Sequence, residues 1–166
     1  MDPIEPTFEV SSGGATDTGR VRAHNEDAYL AARPVFLVAD GMGGHSRGDA
    51  ASAEVVRHFE ALAGRTWVSP EELHATVGAA ASGVATLSSA GGPPPGTTLS
   101  GVALTELSGR AYWLAFNVGD SRVYLLRDGS LEQISVDHSR RQELLEAGAD
   151  PDALGVGRNV ITRALG

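Results

Sequence analysis

Acidic residues in this sequence gather at the ends of predicted strands. Glu26 and Asp27 open one strand, Asp40 ends another, and Asp120 follows a third. Carboxylates at strand ends can converge on one rim of a sheet, where oxygen ligands suit Mg²⁺ or Mn²⁺. The pattern therefore indicates a cation site, although an Asp at a strand end, taken singly, is more simply a turn residue.

Two further residues suit the same site. Gly41 directly follows Asp40, and glycine lets a backbone carbonyl approach a metal without a side chain in the way. Arg22 lies in a predicted loop shortly before Glu26, where its guanidinium could bind a phosphate through two hydrogen bonds. Taken alone, Arg22 would be an ordinary surface residue more often than not. Together with the carboxylates, it extends the hypothesis to a site for cations and a phosphate.

The composition and the missing motifs exclude several other chemistries. The chain has no Cys, which excludes disulfides, thiolate catalysis and zinc bound through sulfur. It contains no P-loop, HExxH or GxSxG motif, and its 5 His residues have no mutual metal-ligand spacing. The net charge of −8, from 21 acidic and 13 basic residues, argues against nucleic acid as a partner.

The size and composition of the chain fit one domain. Its 166 residues, 42% hydrophobic and 20% charged, are typical of an ordinary globular protein. We expect residues 1–7, which include two Pro residues, to form a flexible tail and residues 8–166 to form the domain. The N-terminus lacks the features of a signal peptide, and no apolar run is long enough to span a bilayer. We therefore expect no membrane segment in this chain and a cytoplasmic location.

The elements that would position these residues are predicted from hydrophobic periodicity and turn residues. Strands are predicted at 8–12, 28–31, 34–39, 97–107, 111–118, 123–126 and 159–162. Helices are predicted around 51–62, after an N-cap at Ser69 followed by Pro70 and Glu72, and at 140–147. Residues 13–22 and 88–96 are predicted loops. This order favours antiparallel sheet layers covered by helices over a parallel βαβ sheet.

Six short motifs follow one another along the chain. They are Arg22-Ala23-His24-Asn25-Glu26-Asp27, Val38-Ala39-Asp40-Gly41-Met42-Gly43-Gly44-His45, Gly96-Thr97-Thr98-Leu99, Asn117-Val118-Gly119-Asp120-Ser121-Arg122, Asp137-His138-Ser139 and Ile161-Thr162-Arg163-Ala164-Leu165-Gly166. Each is weak alone, but the ordered series resembles the PPM/PP2C family of protein phosphatases in its bacterial branch. The resemblance implies an α+β fold of two packed antiparallel β-sheets flanked by helices, the α-β-β-α sandwich of that family.

The resemblance also implies a reaction, the hydrolysis of phosphoserine and phosphothreonine in proteins with two Mn²⁺ or Mg²⁺ ions. A metal-activated water would attack phosphorus in line, without a covalent enzyme intermediate. Arg22 would bind the substrate phosphate, and Arg22 and Asp40 would be the catalytic residues. The metal residues that the resemblance implies are Glu26, Asp27, Asp40, Gly41 and Asp120. Asp40 would bridge both metals, the Gly41 carbonyl would bind one of them, and Asp120 would hold a third, weaker ion. Glu26 and Asp27 would hold metal-bound waters or bind directly.

The sequence departs from the family pattern after its last motif. The family continues with a strand that ends in Ser-Asp-Gly and with a late Asp, both ligands of the first metal, and this sequence contains neither. We therefore expect a phosphatase domain truncated at its C-terminal side, with open sheet edges that could allow self-association. Three alternatives remain open: a fragment of an active phosphatase, an inactive pseudo-phosphatase that binds phosphoproteins, or an interaction module that shares only the fold.

Overall fold

The described part of the chain forms two strands, two helices, five further strands and a short third helix, of which the strand at Ser130–Gln133 was not predicted. The computed structural model describes residues 9–43, 47–87, 94–157 and 160–166, so the expected tail at 1–7 lies outside the described residues. The first half holds β1 (Asp27–Ala32), β2 (Val35–Met42), α1 (Gly48–Glu60) and α2 (Pro70–Thr86). The second half holds β3 (Gly96–Thr97), β4 (Leu99–Leu107), β5 (Arg110–Val118), β6 (Tyr124–Arg127), β7 (Ser130–Gln133) and α3 (Arg140–Glu146).

The strands form two antiparallel sheets. The larger sheet has five strands in the order β1-β2-β4-β5, with β3 paired to the end of β2. The smaller sheet in the described part of the chain is the β6–β7 hairpin. The predicted class, antiparallel sheets flanked by helices, is confirmed. Within the larger sheet the register places Asp27 opposite Asp40, which brings two predicted site residues together.

The two hairpins β4–β5 and β6–β7 are each closed by a two-residue turn in which both residues have positive φ. Ser108 and Gly109 connect β4 to β5 with φ values of 54° and 76°. Asp128 and Gly129 connect β6 to β7 with φ values of 52° and 78°. Positive φ at both central residues is the type I′ geometry, whose twist matches that of paired strands. These turns fix the register of both hairpins.

Helix α2 begins as its sequence predicts. The Ser69 side chain accepts a hydrogen bond from the Glu72 backbone N–H, and the Glu72 carboxylate accepts one from the Ser69 N–H. This capping box satisfies two backbone donors that a helix start otherwise leaves unpaired. Pro70 occupies the first turn, where its missing N–H costs nothing. The helix then buries Leu73 and other apolar residues of the predicted face.

The core lies between the helices and one face of the larger sheet. Helix α1 packs on β1 and β2, and α2 packs against α1. The α1 residues Ala51, Val55 and Phe59 are fully buried, and the Phe59 ring stacks on Phe116 of β5 with centroids 5.8 Å apart. The spacing of these residues produces one apolar stripe along the helix, as predicted.

The opposite face of the sheet is much more open. Along β2, buried Val35 and Leu37 alternate with Phe36 and with Val38, which is 47% exposed. Phe36 contacts Trp113 of β5, which is 51% exposed, with ring centroids 5.8 Å apart. A cleft of about 280 Å³ on this face lies among β1, β2, β4, the loop at residues 13–15 and the start of β6. The side chains of β6 and β7 are also exposed.

Two predicted strands are wrong. Residues 9–12 form no strand, and Ser12 Oγ makes a long hydrogen bond of 3.5 Å to the Ala31 carbonyl of β1. The segment runs into Ser and Gly residues, which provide little side-chain surface to cover a sheet edge. Residues 160–162 form one isolated bridge, between Ile161 and Ser139, and Leu165 forms another with Thr97. Residue 159 lies outside the described residues.

Two strand limits also differ from prediction. β2 does not end at Asp40 but continues to Met42, because Gly41 and Met42 pair with β3. The strand predicted at 97–107 is interrupted at Thr98, which separates β3 from β4. The predicted loop at 88–96 is described only from residue 94, and the last two residues of the second motif, at 44–45, lie outside the described residues.

Candidate active site

The structure brings most of the predicted site residues to one cleft. This cleft has a volume of about 860 Å³ and opens at the end of β2. Its lining residues are Arg22, Glu26, Asp40, Gly41, Met42, Gly43, Asp120, Val160 and Ile161. Asp27 lines a neighbouring cleft of about 370 Å³ that also contains Asp40 and Ser121. Asp40 therefore lies at the junction of the two clefts, with the other predicted residues around it.

Two carboxylates, those of Asp27 and Asp40, stand side by side at the sheet end. The two residues are direct partners in the β1–β2 register, so their side chains project from the same face. The negative charges of the two carboxylates repel each other when both are ionised. The arrangement therefore favours either a proton or a cation between them.

The electrostatic environment of Asp40 is dominated by other acids. Partial loss of hydration raises the pKa of the Asp40 carboxyl above its ordinary value, and the charges of Asp27 and Asp120 raise it further. The Arg22 guanidinium acts in the opposite direction and lowers that pKa. A bound divalent cation would reverse this balance, since it favours the ionised form of every carboxylate near it.

The backbone of Asp40 is held by two threonines. Its carbonyl accepts hydrogen bonds from the Thr98 N–H at 2.9 Å and from the Thr97 hydroxyl at 3.0 Å. Its N–H donates to the Thr98 hydroxyl oxygen at 3.0 Å. Both threonines are fully buried. The position of Asp40 is therefore fixed by main-chain contacts, whatever its side chain binds.

A tight turn carries Asp120. The preceding Gly119 has a φ of 105°, and a Cβ at this position would lie 2.7 Å from Thr98 Cγ2. The Gly119 N–H donates to His138 Nδ1 at 3.2 Å, and the Gly119 carbonyl accepts from the His138 N–H at 2.8 Å. Ser121 follows, with its hydroxyl 2.7 Å from that of Thr98. Glycine is required because the turn needs positive φ and lies directly against Thr98.

Glu26 lies against the start of α1. The Gly41 N–H and the Ser52 hydroxyl both donate to the Glu26 carbonyl, at 3.0 and 2.6 Å. A Cβ on Gly48 would lie 2.7 Å from Glu26 Oε1, and a Cβ on Gly41 would collide with the Gly48 carbonyl. The Glu26 carboxylate is thus close to the first residue of α1. Gly41 has a packing role here in addition to its predicted metal contact.

Arg22 is the positively charged residue among the described residues that line the cleft. Its side chain is 74% exposed, and its Nη1 lies 3.6 Å from Oε2 of Glu26. An ion pair this exposed contributes little to stability. The guanidinium is therefore free to turn toward a phosphate in the cleft at little cost to the fold.

The donor set fits a hard cation. The predicted ligands are carboxylate and carbonyl oxygens, the type that Mg²⁺ and Mn²⁺ prefer. Across residues 9–43, 47–87, 94–157 and 160–166, no group of three or more His, Asp or Glu side chains lies close enough to hold a metal ion. Ions at this site would therefore need water ligands beside the protein oxygens, which Mg²⁺ usually retains.

Sequence reasoning missed the residues that support these side chains. Thr98 was interpreted as part of a strand start, whereas it contacts the Asp40 backbone, Gly119 and Ser121. His138 belongs to a recognised motif, but no role was predicted for it. The adjacent pair of threonines opposite Asp40 was the available signal, and its meaning depends on a long-range pairing that periodicity does not reveal.

Comparison with known families identifies the chain. Residues 18–143 match the family model described as protein phosphatase 2C. The match covers most of the chain, and the chain belongs to the protein phosphatase 2C family.

Curated relatives include bacterial serine/threonine phosphatases. Serine/threonine phosphatase stp of Listeria welshimeri is 36% identical over 172 residues, covering 91% of this chain and 65% of the relative. Serine/threonine protein phosphatase PstP of Mycobacterium tuberculosis is 38% identical over 149 residues, covering 86% of this chain and 28% of the relative. The chain therefore spans about 65% of the length of stp and a smaller share of PstP.

Solved structures share the fold. The PPM Ser-Thr phosphatase MsPP from Mycobacterium smegmatis matches with a TM-score of 0.77 at 36% identity, covering 92% of this chain and 65% of that one. The catalytic domain of PstP in complex with two manganese ions matches with a TM-score of 0.76 at 34% identity, covering 90% of this chain and 64% of that one. In the described part of this chain, no helix is both long and apolar enough to cross a bilayer.

Proposed function

We propose that this chain hydrolyses phosphoserine and phosphothreonine in proteins, with Mn²⁺ or Mg²⁺ at the Asp40 cleft. The observation that carries the proposal is the meeting of Asp27, Asp40, Asp120 and Arg22 around the end of β2. Family membership supports it, as does the PstP structure with two manganese ions. The activity is a proposal because the chain spans about 65% of the length of stp.

Each predicted residue has a distinct task in this mechanism. Bound Mn²⁺ or Mg²⁺ supplies Lewis acidity, which lowers the pKa of a water and neutralises phosphoryl charge. Asp40 would bind the cations through its carboxylate oxygens and Gly41 through its carbonyl, and Asp27 would hold metal-bound waters or bind directly. Arg22 orients the phosphate through its fork of N–H donors. Water oxygen forms the new bond to phosphorus, the bond to the Ser or Thr oxygen breaks, and that oxygen takes up a proton.

Glu26 and Asp120 have supporting tasks in the proposal. The Glu26 carboxylate, near Arg22 and the start of α1, would hold metal-bound waters or bind directly. Asp120 also lines the cleft and would bind a third, weaker ion. Asp120 already acts on Asp40 through its charge, since it raises the Asp40 pKa.

Hydrolysis of p-nitrophenyl phosphate and a phosphothreonine peptide tests the proposal. Activity should require Mn²⁺ and should fall more than about a hundredfold in Asp40→Asn, since losing even a group that supports a metal ligand can cost that much. Asp128→Asn is the matched control, because Asp128 lies in the exposed β6–β7 turn at positive φ, which Asn tolerates. Turnover that persists in EDTA would contradict the mechanism.

A second candidate function is binding of phosphoproteins without turnover. It is favoured by the absence, in the described residues, of a ready-made group of three metal-binding side chains. This reading predicts that phosphopeptides bind to the chain while no phosphate is released. Fluorescence anisotropy with labelled phosphopeptide, run beside a phosphate-release assay, separates the two functions.

The partner proposed for this chain is a phosphoprotein substrate. A second copy of the chain is a further proposed partner, because large apolar side chains such as Trp113 and Leu126 are exposed on its sheets. The cytoplasmic location expected from the sequence stays a prediction.

A further inference from the structure

One buried hydroxyl connects the two segments that carry Asp40 and Asp120. Thr98 Oγ1 accepts the Asp40 N–H at 3.0 Å and lies 2.7 Å from the Ser121 hydroxyl. A hydroxyl has one donor and two acceptor positions, so it can serve both neighbours at once. Thr98 is 0% exposed, so water does not compete for these positions.

This hydroxyl replaces a regular sheet contact. Val38 pairs with Ser100 of β4, and Gly41 pairs with Thr97 of β3. If this register continues through Thr98, the residue between β3 and β4, then Asp40 lies opposite Thr98. In a regular antiparallel pair the two residues would exchange two main-chain bonds. Here the Thr98 N–H donates to the Asp40 carbonyl, but the Asp40 N–H donates to the Thr98 side chain. The Thr98 carbonyl lies 3.0 Å from the Thr97 hydroxyl, whose single hydrogen it shares with the Asp40 carbonyl.

The rest of the Thr98 side chain supports the Asp120 turn. Gly119 approaches so closely that a Cβ there would lie 2.7 Å from Thr98 Cγ2. The methyl group lies against Gly119, while the hydroxyl bonds to Ser121. Because both halves of one side chain meet the turn, Thr98 is well placed to fix the separation of Asp40 and Asp120.

We propose that Thr98 is a positioning residue whose hydroxyl joins the Asp40 strand end to the Asp120 turn and so preorganises the cation site. The inference rests on the proposed function in one respect, that Asp40 binds a divalent cation. The inference is based on two consecutive hydrogen bonds, from the Asp40 N–H to Thr98 Oγ1 and between Thr98 Oγ1 and Ser121 Oγ. Groups that orient metal ligands in this way are needed for full metal affinity.

Three variants of buried threonines test the role of the hydroxyl. Thr98→Val removes it and keeps the shape, and Thr98→Ser restores it. Thr105→Val is the matched control, because Thr105 is buried in β4 of the same sheet and its hydroxyl has no hydrogen-bond partner. The readouts are Mn²⁺ affinity, from the electron paramagnetic resonance signal of free Mn²⁺, and amide hydrogen exchange at Asp40 and Ser121.

The hydroxyl accounts for a specific pattern of results. Thr98→Val should weaken Mn²⁺ binding about tenfold, at the lower end of the losses that follow removal of a group supporting a metal ligand. It should also speed exchange of the Asp40 amide by a similar factor. Thr98→Ser and Thr105→Val should stay within about twofold of the wild type, since both leave this hydroxyl contact intact. Equal Mn²⁺ affinity in Thr98→Val and the wild type would overturn the proposal, as would a loss in Thr98→Ser that matches Thr98→Val.

A variant of Ser121, the hydrogen-bond partner of Thr98, tests the same contact if Thr98→Val does not fold. Ser121→Ala removes the Ser121 hydroxyl at a partly exposed position. It should weaken Mn²⁺ binding about threefold and, combined with Thr98→Val, add little more, because both remove the same contact. Unchanged binding in Ser121→Ala, or full additivity in the double variant, would refute the coupling.

The same experiment separates this inference from the proposed function. If Asp40→Asn leaves Mn²⁺ binding unchanged, the proposed cation site is wrong, whatever the Thr98 variants do. The positioning role is then decided by hydrogen exchange alone. Faster exchange confined to Asp40 and Ser121 in Thr98→Val, restored in Thr98→Ser, supports it, and unchanged exchange rejects it.

Discussion

At the residue scale, Asp40 shows a conflict between stability and function. Its carboxyl lies beside Asp27 and within reach of the Asp120 charge, and its pKa is raised. Without a cation, the folded chain therefore binds protons at Asp40 more tightly than the unfolded chain does. The group that the proposed chemistry needs most is thus one that the metal-free fold accommodates poorly at neutral pH.

This conflict predicts the pH dependence of an Asp40→Asn variant. Because the pKa of Asp40 is raised in the folded state, the ionised residue destabilises the fold at neutral pH. That destabilisation disappears below the pKa of Asp in the unfolded chain, which is about 3.9. In EDTA, Asp40→Asn should therefore have a higher urea midpoint than the wild type at pH 7.5 and an equal one near pH 3.5. Added Mn²⁺ should stabilise the wild type only. A variant less stable than the wild type at pH 7.5 would contradict this account.

Arg22 is expected to affect substrate binding far more than stability. Its side chain is 74% exposed and its ion pair with Glu26 is loose, at 3.6 Å. Arg22→Ala should raise KM, or the Kd of a phosphopeptide, about tenfold or more, since hydrogen bonds to charged groups contribute about 1.5–3 kcal/mol. Arg22→Lys should recover only part of the loss, because Lys cannot bind in a bidentate way.

A neighbouring arginine provides the control for that experiment. Arg20 is also exposed in the same loop, and it does not line the Asp40 cleft. Arg20→Ala should leave KM and the urea midpoint unchanged. Equal effects of the two substitutions would mean that general positive charge, and not the position of Arg22, attracts the phosphate.

At the element scale, α2 is the clearest case of a segment specified by its own sequence. Ser69→Ala breaks the capping box and should lower the unfolding free energy by about 1 kcal/mol. Ser82→Ala in the same helix is the control. The Ser82 hydroxyl bonds to the Gly78 carbonyl one turn earlier, a contact that does not favour the helix, so stability should stay equal or rise slightly. Urea unfolding monitored by circular dichroism measures both, and an equal loss in both variants would contradict a cap-specific role.

The elements show which parts of the fold a sequence can predict. The cap at Ser69 is local and was predicted correctly, and the turns at Ser108 and Asp128 are formed by equally local residues. The extension of β2 past Asp40 was missed because it depends on pairing with Thr97, far along the chain. The meeting of Asp27 and Asp40 follows from hairpin register, but the contacts of Thr98 with Asp40 and Ser121 do not follow from any local pattern.

At the scale of the whole molecule, the two faces of the larger sheet differ. One face is covered by α1 and α2 and holds the core, whereas the other leaves Val38 and Trp113 about half exposed. Monomeric proteins seldom leave contiguous apolar patches of large size exposed. The open face is therefore the part of the molecule most prone to association.

That asymmetry predicts concentration-dependent self-association. Sedimentation velocity should show larger species as the concentration of the wild-type chain rises, and Trp113→Lys should reduce them because a charge opposes burial of this face. Leu154→Lys is the control, since Leu154 is 61% exposed in a turn outside both sheets. A monomer at all concentrations would exclude the proposed second copy as a partner.

The pairing of Asp40 with Thr98 also has a consequence for folding kinetics. The two residues are 58 positions apart, whereas the β1–β2 and β4–β5 hairpins join residues close in the chain. Closing so long a loop carries an entropic cost, and contacts of high sequence separation form slowly. The β2–β4 pairing must therefore close before the Asp40 cleft exists. A nascent or partly folded chain that has formed only its hairpins and helices therefore lacks this site.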